Sequence, residues 1–193
     1  MAVILSLGLV AIFAPPAKSL FELLSRVRGG RTVFDIDQPT VVHQIQALER
    51  LETVSYTMDK IISGERGTPY LPKFLAGDRI LLVVHGEVIA GVNLAKLQPG
   101  DVTVQGTSIS VRIPSAEVFS TRIDNAKTRV YSRDTGLFSS PDPNLESEVR
   151  EEAERQLQQA ALQDGILNAA GQNARTTISG MLKGFGFQEV AIR

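Results

Sequence analysis

The chain has 193 residues, 20 Lys plus Arg against 21 Asp plus Glu, and 43% apolar residues, which suits one packed domain of ordinary size with a short additional segment. A formal net charge of −1 supplies no general attraction for phosphates, so nucleic acid is not an expected partner. The absence of cysteine excludes disulfides, thiolate metal sites, iron–sulfur clusters and a cysteine nucleophile, and two histidines, His43 and His85, leave little material for an imidazole metal site.

Residues 1–14, MAVILSLGLVAIFA, carry no charged side chain. As a helix they would span roughly 21 Å, short of a ~30 Å hydrocarbon core. Pro15 and Pro16 follow, then KSLFELLSRVR, where Leu20, Leu23, Leu24 and Val27 recur at helical spacing opposite Lys18, Glu22 and Arg26. That is the pattern of an interfacial helix after a proline kink. The expectation is an uncleaved membrane anchor over 1–28, a linker over 29–34 around Gly29-Gly30, and a single α+β domain over 35–193. A removed signal peptide is the alternative, although no Lys or Arg precedes the apolar run and two prolines stand where a cleavage site belongs. A buried core helix is the third reading. Lys18, Arg26, Arg28 and Arg31 all follow the run, so the positive-inside rule puts the domain in the cytoplasm, with the extracytoplasmic side as the alternative.

VFDI (33–36) is a short strand candidate. VVHQIQALERL places Val41, Ile45 and Leu48 at i, i+4 and i+7 behind Thr40, the pattern of a short amphipathic helix with Thr40 as its N-cap and His43 packed among its apolar positions. From Glu52 the period becomes two, with Val54, Tyr56, Met58 and Lys60 on one face, which reads as a strand. GERGTPYLP (64–72) reads as a loop. DRILLVVHGEVIAGVNL (78–94) is the most strongly β segment; ILLVV suits a strand buried on both faces, and His85-Gly86 is expected to turn or bulge the chain. Gln98–Asp101 is a turn, DVTVQGTSISVRIP alternates around Gly106 as a hairpin, and EVFSTRI (117–123) and TRVYSR (128–133) are further strands.

Residues 144–183 have helical character. Asn144 is a candidate N-cap, and Glu146, Glu148, Glu151 and Glu152 crowd the start, where the macrodipole favours negative charge. The apolar positions make one long helix, or two with a break at Asp164-Gly165, ended by Gly184 and Gly186 before a strand over 187–192. Its stripe is small-sided. Ala153, Ala160, Ala161, Ala170 and Ala174 are therefore the candidate interface for self-association or a partner protein, the competing use being to seat the helix on the chain's own sheet.

Chemical signatures are lacking. His85-Gly86-Glu87 has the spacing used by zinc deaminases, but those need two further cysteine ligands. Asp35 with Asp37 on a strand, and Glu49 with Glu52 on a helix, read as solvated faces rather than acid–base pairs. No G-x-S-x-G elbow, phosphate loop or EF-hand pattern occurs. No catalytic, cofactor-binding or metal-binding residue is assigned, no cofactor is expected, and an enzyme is not the favoured reading.

Four stretches carry a family resemblance: VVHQIQALERLETVSYTMDKII (41–62), GDRILLVVHGEVIAGVNLAKL (77–97), VRIPSAEVFSTRIDNAKTRVYSRDTGLF (111–138) and GILNAAGQNARTTISGMLKGFGFQEVAI (165–192). In their order they resemble the bacterial domain-of-unknown-function family 4230, whose members commonly begin with one membrane-spanning helix. That resemblance implies an anchored domain and brings no activity with it. A weaker architectural similarity is to the stomatin/prohibitin (band 7) domains, through a helix leading into a strand as in GFGFQEV (184–190). The expected fold is α+β: a mostly antiparallel sheet of about six strands packed against a long C-terminal helix, preceded by the anchor helix. The expected function is a membrane-tethered, non-enzymatic binding or assembly domain. The alternatives are a binder of lipid or another small apolar ligand and a carboxylate-dependent hydrolase.

Overall fold

The computed structural model describes residues 38–67, 70–72 and 74–193. Among them the order is α1 (Gln38–Gln46), β1 (Arg50–Gly67), β2 (Gly77–Asn93), two 3-10 turns (Leu94–Lys96 and Pro99–Asp101), β3 (Val102–Gln105), β4 (Ser108–Val111), β5 (Ala116–Ile123), β6 (Arg129–Thr135), α2 (Leu145–Gln163), α3 (Ile166–Gly184) and β7 (Glu189–Ile192). The fold is α+β with mostly antiparallel strands. The anchor, linker and 33–36 strand expected from the sequence lie outside the described residues. Among the described residues no helix is long and apolar enough to cross a membrane.

Alternation in β1 and β2 builds a long hairpin, paired from Arg50 opposite Asn93 to Gly67 opposite Gly77. At ~3.3 Å per residue that ladder is roughly 50 Å long. On its other side β2 pairs with β6 over its first half and β5 over its second, so β5 and β6 behave as one outer strand interrupted at 124–128. At the interruption the His85 carbonyl accepts from the Asp124 N–H at 2.9 Å and the His85 N–H donates to the Thr128 hydroxyl at 3.2 Å. A smaller sheet, β3–β4–β7, contains the one parallel pairing among the described strands, β4 with β7. It lies at the Asn93 end of the hairpin with α1, where the Gln46 side chain donates to the Leu97 carbonyl at 2.7 Å.

Helices α2 and α3 cover one face of the large sheet. Ile62, Ile80, Leu82, Val84, Val88 and Ala90 meet Leu145, Val149, Ala153, Leu157, Ala161, Ile166 and Ala170, all buried. Each large aliphatic side chain so removed from water contributes roughly 1.5–3 kcal/mol. The helices follow one another along the sheet, Val149 over Gly64 and Leu157 over Gly86, with the Thr53 hydroxyl donating to the Ala170 carbonyl at 2.9 Å. Gly165, at φ 79°, separates them. The helix break at Asp164-Gly165 is thus realised.

Several local expectations are corrected. The first helix starts at Gln38, so Thr40 lies inside it and is not the cap; it ends at Gln46, which leaves Leu48 partly exposed and His43 on the exposed side. Glu49 sits in the following turn at φ 47° and Glu52 in β1, so the two share no helix face. Gly64–Gly67 belong to β1 rather than to a loop, because they complete the ladder with Gly77–Ile80. The chain does not turn at His85-Gly86: β2 runs straight through, and its partner breaks instead. Bare backbone at Gly86 is required there, since a Cβ would collide with Leu157 and stand 3.0 Å from the Arg122 carbonyl oxygen. The ILLVV segment is fully buried only on the helix side at Ile80, Leu82 and Val84; Leu81 and Val83 are half-buried because no described element covers the other face. Asn144 precedes α2 without a side-chain capping bond.

At the Gly67/Gly77 end the strands are clamped by a buried ion pair. The Asp78 carboxylate, 4% exposed, accepts from Arg133 Nη2 at 2.6 Å, the Thr135 hydroxyl at 3.0 Å and the Asp142 N–H at 2.8 Å. Arg133 also donates to the Asp142 carbonyl at 2.6 Å, while Arg66 bridges Asp142 and Glu148, each at 2.6 Å. This joins β1, β2, β6 and the start of α2. The Arg133 guanidinium, opposed by burial and aided by the Asp142 N–H and Thr135 hydroxyl, holds the Asp78 carboxyl down at about 2. A depressed folded pKa stabilises the fold above the unfolded value of ~3.9, and that contribution is lost as pH falls through the folded one.

Two outcomes follow. Gly86→Ala lowers stability by about 2 kcal/mol by overpacking, and its effect is sub-additive with Leu157→Ala by more than about 1 kcal/mol in a double-mutant cycle read by urea unfolding; strict additivity contradicts the contact. Asp78→Asn lowers stability near neutral pH by about 3 kcal/mol, as expected for one partner of a buried pair. It also flattens the loss of stability between ~pH 4 and ~pH 2, and an unchanged pH slope in the same unfolding assay contradicts the assignment.

Candidate docking surface at the far end of the sheet

Above this clamp two loops are sewn together by backbone bonds. The Gly136 N–H donates to the Gly77 carbonyl at 2.7 Å, Leu137 to Phe74 at 3.2 Å and Phe138 to Leu75 at 2.8 Å. Close approach requires a glycine, because a Cβ on Gly136 would stand 2.8 Å from the Leu75 carbonyl oxygen. With their main chains engaged in this seam, the side chains on either side of it project outward. Phe74 is 70% exposed, Leu137 79% and Phe138 80%, and Tyr70 and Leu71 are exposed in the same loop.

Beneath the rim is an open cleft of about 410 Å³, walled by Phe74 and Leu137, with Asp78 and Thr135 also lining it. Glu65, Arg79 and Asp134 line it too, and the ladder sets Arg79 between the two carboxylates across neighbouring strands. The charges beside the rim are therefore mixed in sign. The arrangement offers an apolar platform with a polar border, the composition of a recognition surface.

The residues singled out in the sequence go elsewhere. Ala153, Ala161, Ala170 and Ala174 are buried and Ala160 is half-buried; Ala153, Ala161 and Ala170 pack into the core between helix and sheet. His85 lies on the face of the large sheet opposite α2 and α3, where Nδ1 is 2.6 Å from Asp59 Oδ1, and neighbouring Glu87 accepts from the Ser55 hydroxyl at 2.5 Å. His43 is on α1 at the other end, and Asp35 and Asp37 lie outside the described residues. Among the described residues no group of three or more His, Asp or Glu gathers as a metal site would need. The rim was legible in principle: YLPKFLAG and GLF put large apolar residues into segments punctuated by Gly and Pro, where a core has no use for them.

The family model described as "Protein of unknown function (DUF4230)" matches residues 43–192. No curated protein and no solved structure matches the chain, and the band 7 likeness gains no support. The match runs from α1 to the end of β7, taking in both sheets, both long helices and the apolar rim, and the chain belongs to the DUF4230 family of proteins of unknown function.

Proposed function

We propose that the chain is a membrane-tethered docking module: residues 1–28 hold it at a bilayer, and the rim of Phe74, Leu137 and Phe138 binds an apolar patch on a partner protein. The observation that carries this reading is the rim itself, three large apolar side chains left in water on loops that backbone bonds and the Asp78 clamp hold in place. A fixed apolar patch of this kind marks interaction sites, and presetting it reduces the ordering entropy lost on binding. Among the described residues, Glu65, Arg79 and Asp134 beside it carry both signs, which favours a protein partner over an anionic lipid surface. The first described element, α1, lies at the opposite end of the ~50 Å ladder from the rim.

Two observations weigh against the alternative readings. Val149 and Leu157 press onto bare glycine backbone, which leaves little room for an apolar ligand between helix and sheet. The buried carboxylate Asp78 is saturated by Arg133, Thr135 and Asp142, which suits a structural group better than a catalytic acid.

The tether predicts that carbonate-washed membranes retain the full chain and release one lacking residues 1–28; equal recovery in the soluble fraction contradicts it. For the rim, a photo-crosslinking phenylalanine analogue at Leu137 of the full chain, expressed in its native cells, yields a protein adduct of discrete mass. The same probe at Glu154 on α2 does not. Phe74→Ser with Phe138→Ser reduces that adduct at least tenfold, as for central interface residues, without changing the circular dichroism. Adducts to lipid alone, or equal labelling at both positions, overturn the reading.

A further inference from the structure

The two outer edges of the large sheet are built differently. On the β5/β6 side the strand is bulged opposite Ile89/Ala90, bulged again opposite Leu81/Leu82, and broken at 124–128. These are the devices by which proteins keep a sheet edge from pairing with another chain. On the β1 side the only irregularity lies between Glu52 and Val54. From Ser55 to Ser63 there is no proline and no bulge, and among the described residues no strand pairs with the outer side of this segment. Asp59 is held to His85 at 2.6 Å, and Lys60 Nζ turns inward to the Gln156 carbonyl at 3.2 Å.

We propose that this edge of β1 pairs antiparallel with the same edge of a second copy, about a twofold axis at Ile61. A second copy is the occupant because, among the described residues, the sheet has one edge without bulge or break over Ser55–Ser63 and one blunted edge. Pairing open edge to open edge closes at a dimer and leaves only blunted edges outside, so no fibre can propagate. The register follows from charge. An axis at Asp59 or Lys60 sets like charges directly opposite, and an axis at Ile62 sets Asp59 against Glu65, whereas the axis at Ile61 opposes Asp59 to Ser63 and Thr57 to Glu65. It also brings together the two copies of Ile61, 69% exposed in one chain. The helix layers fit. The two β2 strands lie three strand spacings apart, about 14 Å, which seats two helices of ~10 Å diameter side by side on one face. This surface is separate from the apolar rim, so either proposal can fail alone.

The chain has no cysteine, which makes single-cysteine crosslinking unambiguous. The test uses the full chain in non-ionic detergent, with molar mass measured by light scattering after correction for bound detergent. Wild type is expected to be a dimer. Ile61→Cys forms a disulfide-linked dimer under mild oxidation, at least tenfold faster than Arg129→Cys on the opposite edge. Ile61→Lys, a change at an exposed side chain, gives a monomer with unchanged circular dichroism. A monomeric wild type, a dimer that Ile61→Lys leaves intact, or equal crosslinking at positions 61 and 129 overturns the proposal.

Discussion

β2 can occupy the centre of this domain because from Ile80 to Val92 its helix-facing side is apolar and, at Gly86, carries no side chain at all. Ile80, Leu82, Val84, Val88, Ala90 and Val92 are buried in alternation, and Leu157 fills the gap the glycine leaves. Had the chain turned there, the hairpin would have been half as long and α2 would have lost the floor it lies on. Because β2 stays straight, the outer strand must take up the mismatch in twist, and it does so by bulging twice and breaking once.

The same straightness creates a distant end that has to be stabilised without a second layer of core. A buried ion pair holds the strands together there. Asp78, Arg133 and Asp142 link β2, β6 and the approach to α2 through charge-assisted bonds. A buried pair of this kind adds little net stability over well-packed apolar groups, but it specifies geometry. Here the geometry specified is the junction of two loops, and the junction leaves Phe74, Leu137 and Phe138 in solvent.

The fold was legible where periodicity was strong. The alternation of β1, the Gly106 hairpin and the small-sided helical stripe all appear as read, and the break at Gly165 could be seen from glycine alone. The errors have a common cause. His85-Gly86 and Gly64–Gly67 carry glycines that local rules assign to turns, yet both stretches are strand because the ladder runs through them and α2 rests on Gly64 and Gly86. Leu48 falls beyond a helix that stops at Gln46, and His43 lies within it but on its exposed side. The rim was missed for another reason: the two loops can be read from their Gly and Pro, but not that they meet, because the backbone bonds between Phe74–Leu75 and Leu137–Phe138 join residues more than sixty positions apart. No local pattern reports that.

The central claim is that the apolar rim is a preset surface rather than a slack loop, and amide hydrogen exchange at Leu137 and Phe138 in the free chain tests it most directly. Their side chains stand in water, but their N–H groups donate to the Phe74 and Leu75 carbonyls. The account predicts exchange at least a hundredfold slower than in an unstructured peptide, since opening requires the two loops to separate. Exchange at the unstructured rate at both positions would contradict it.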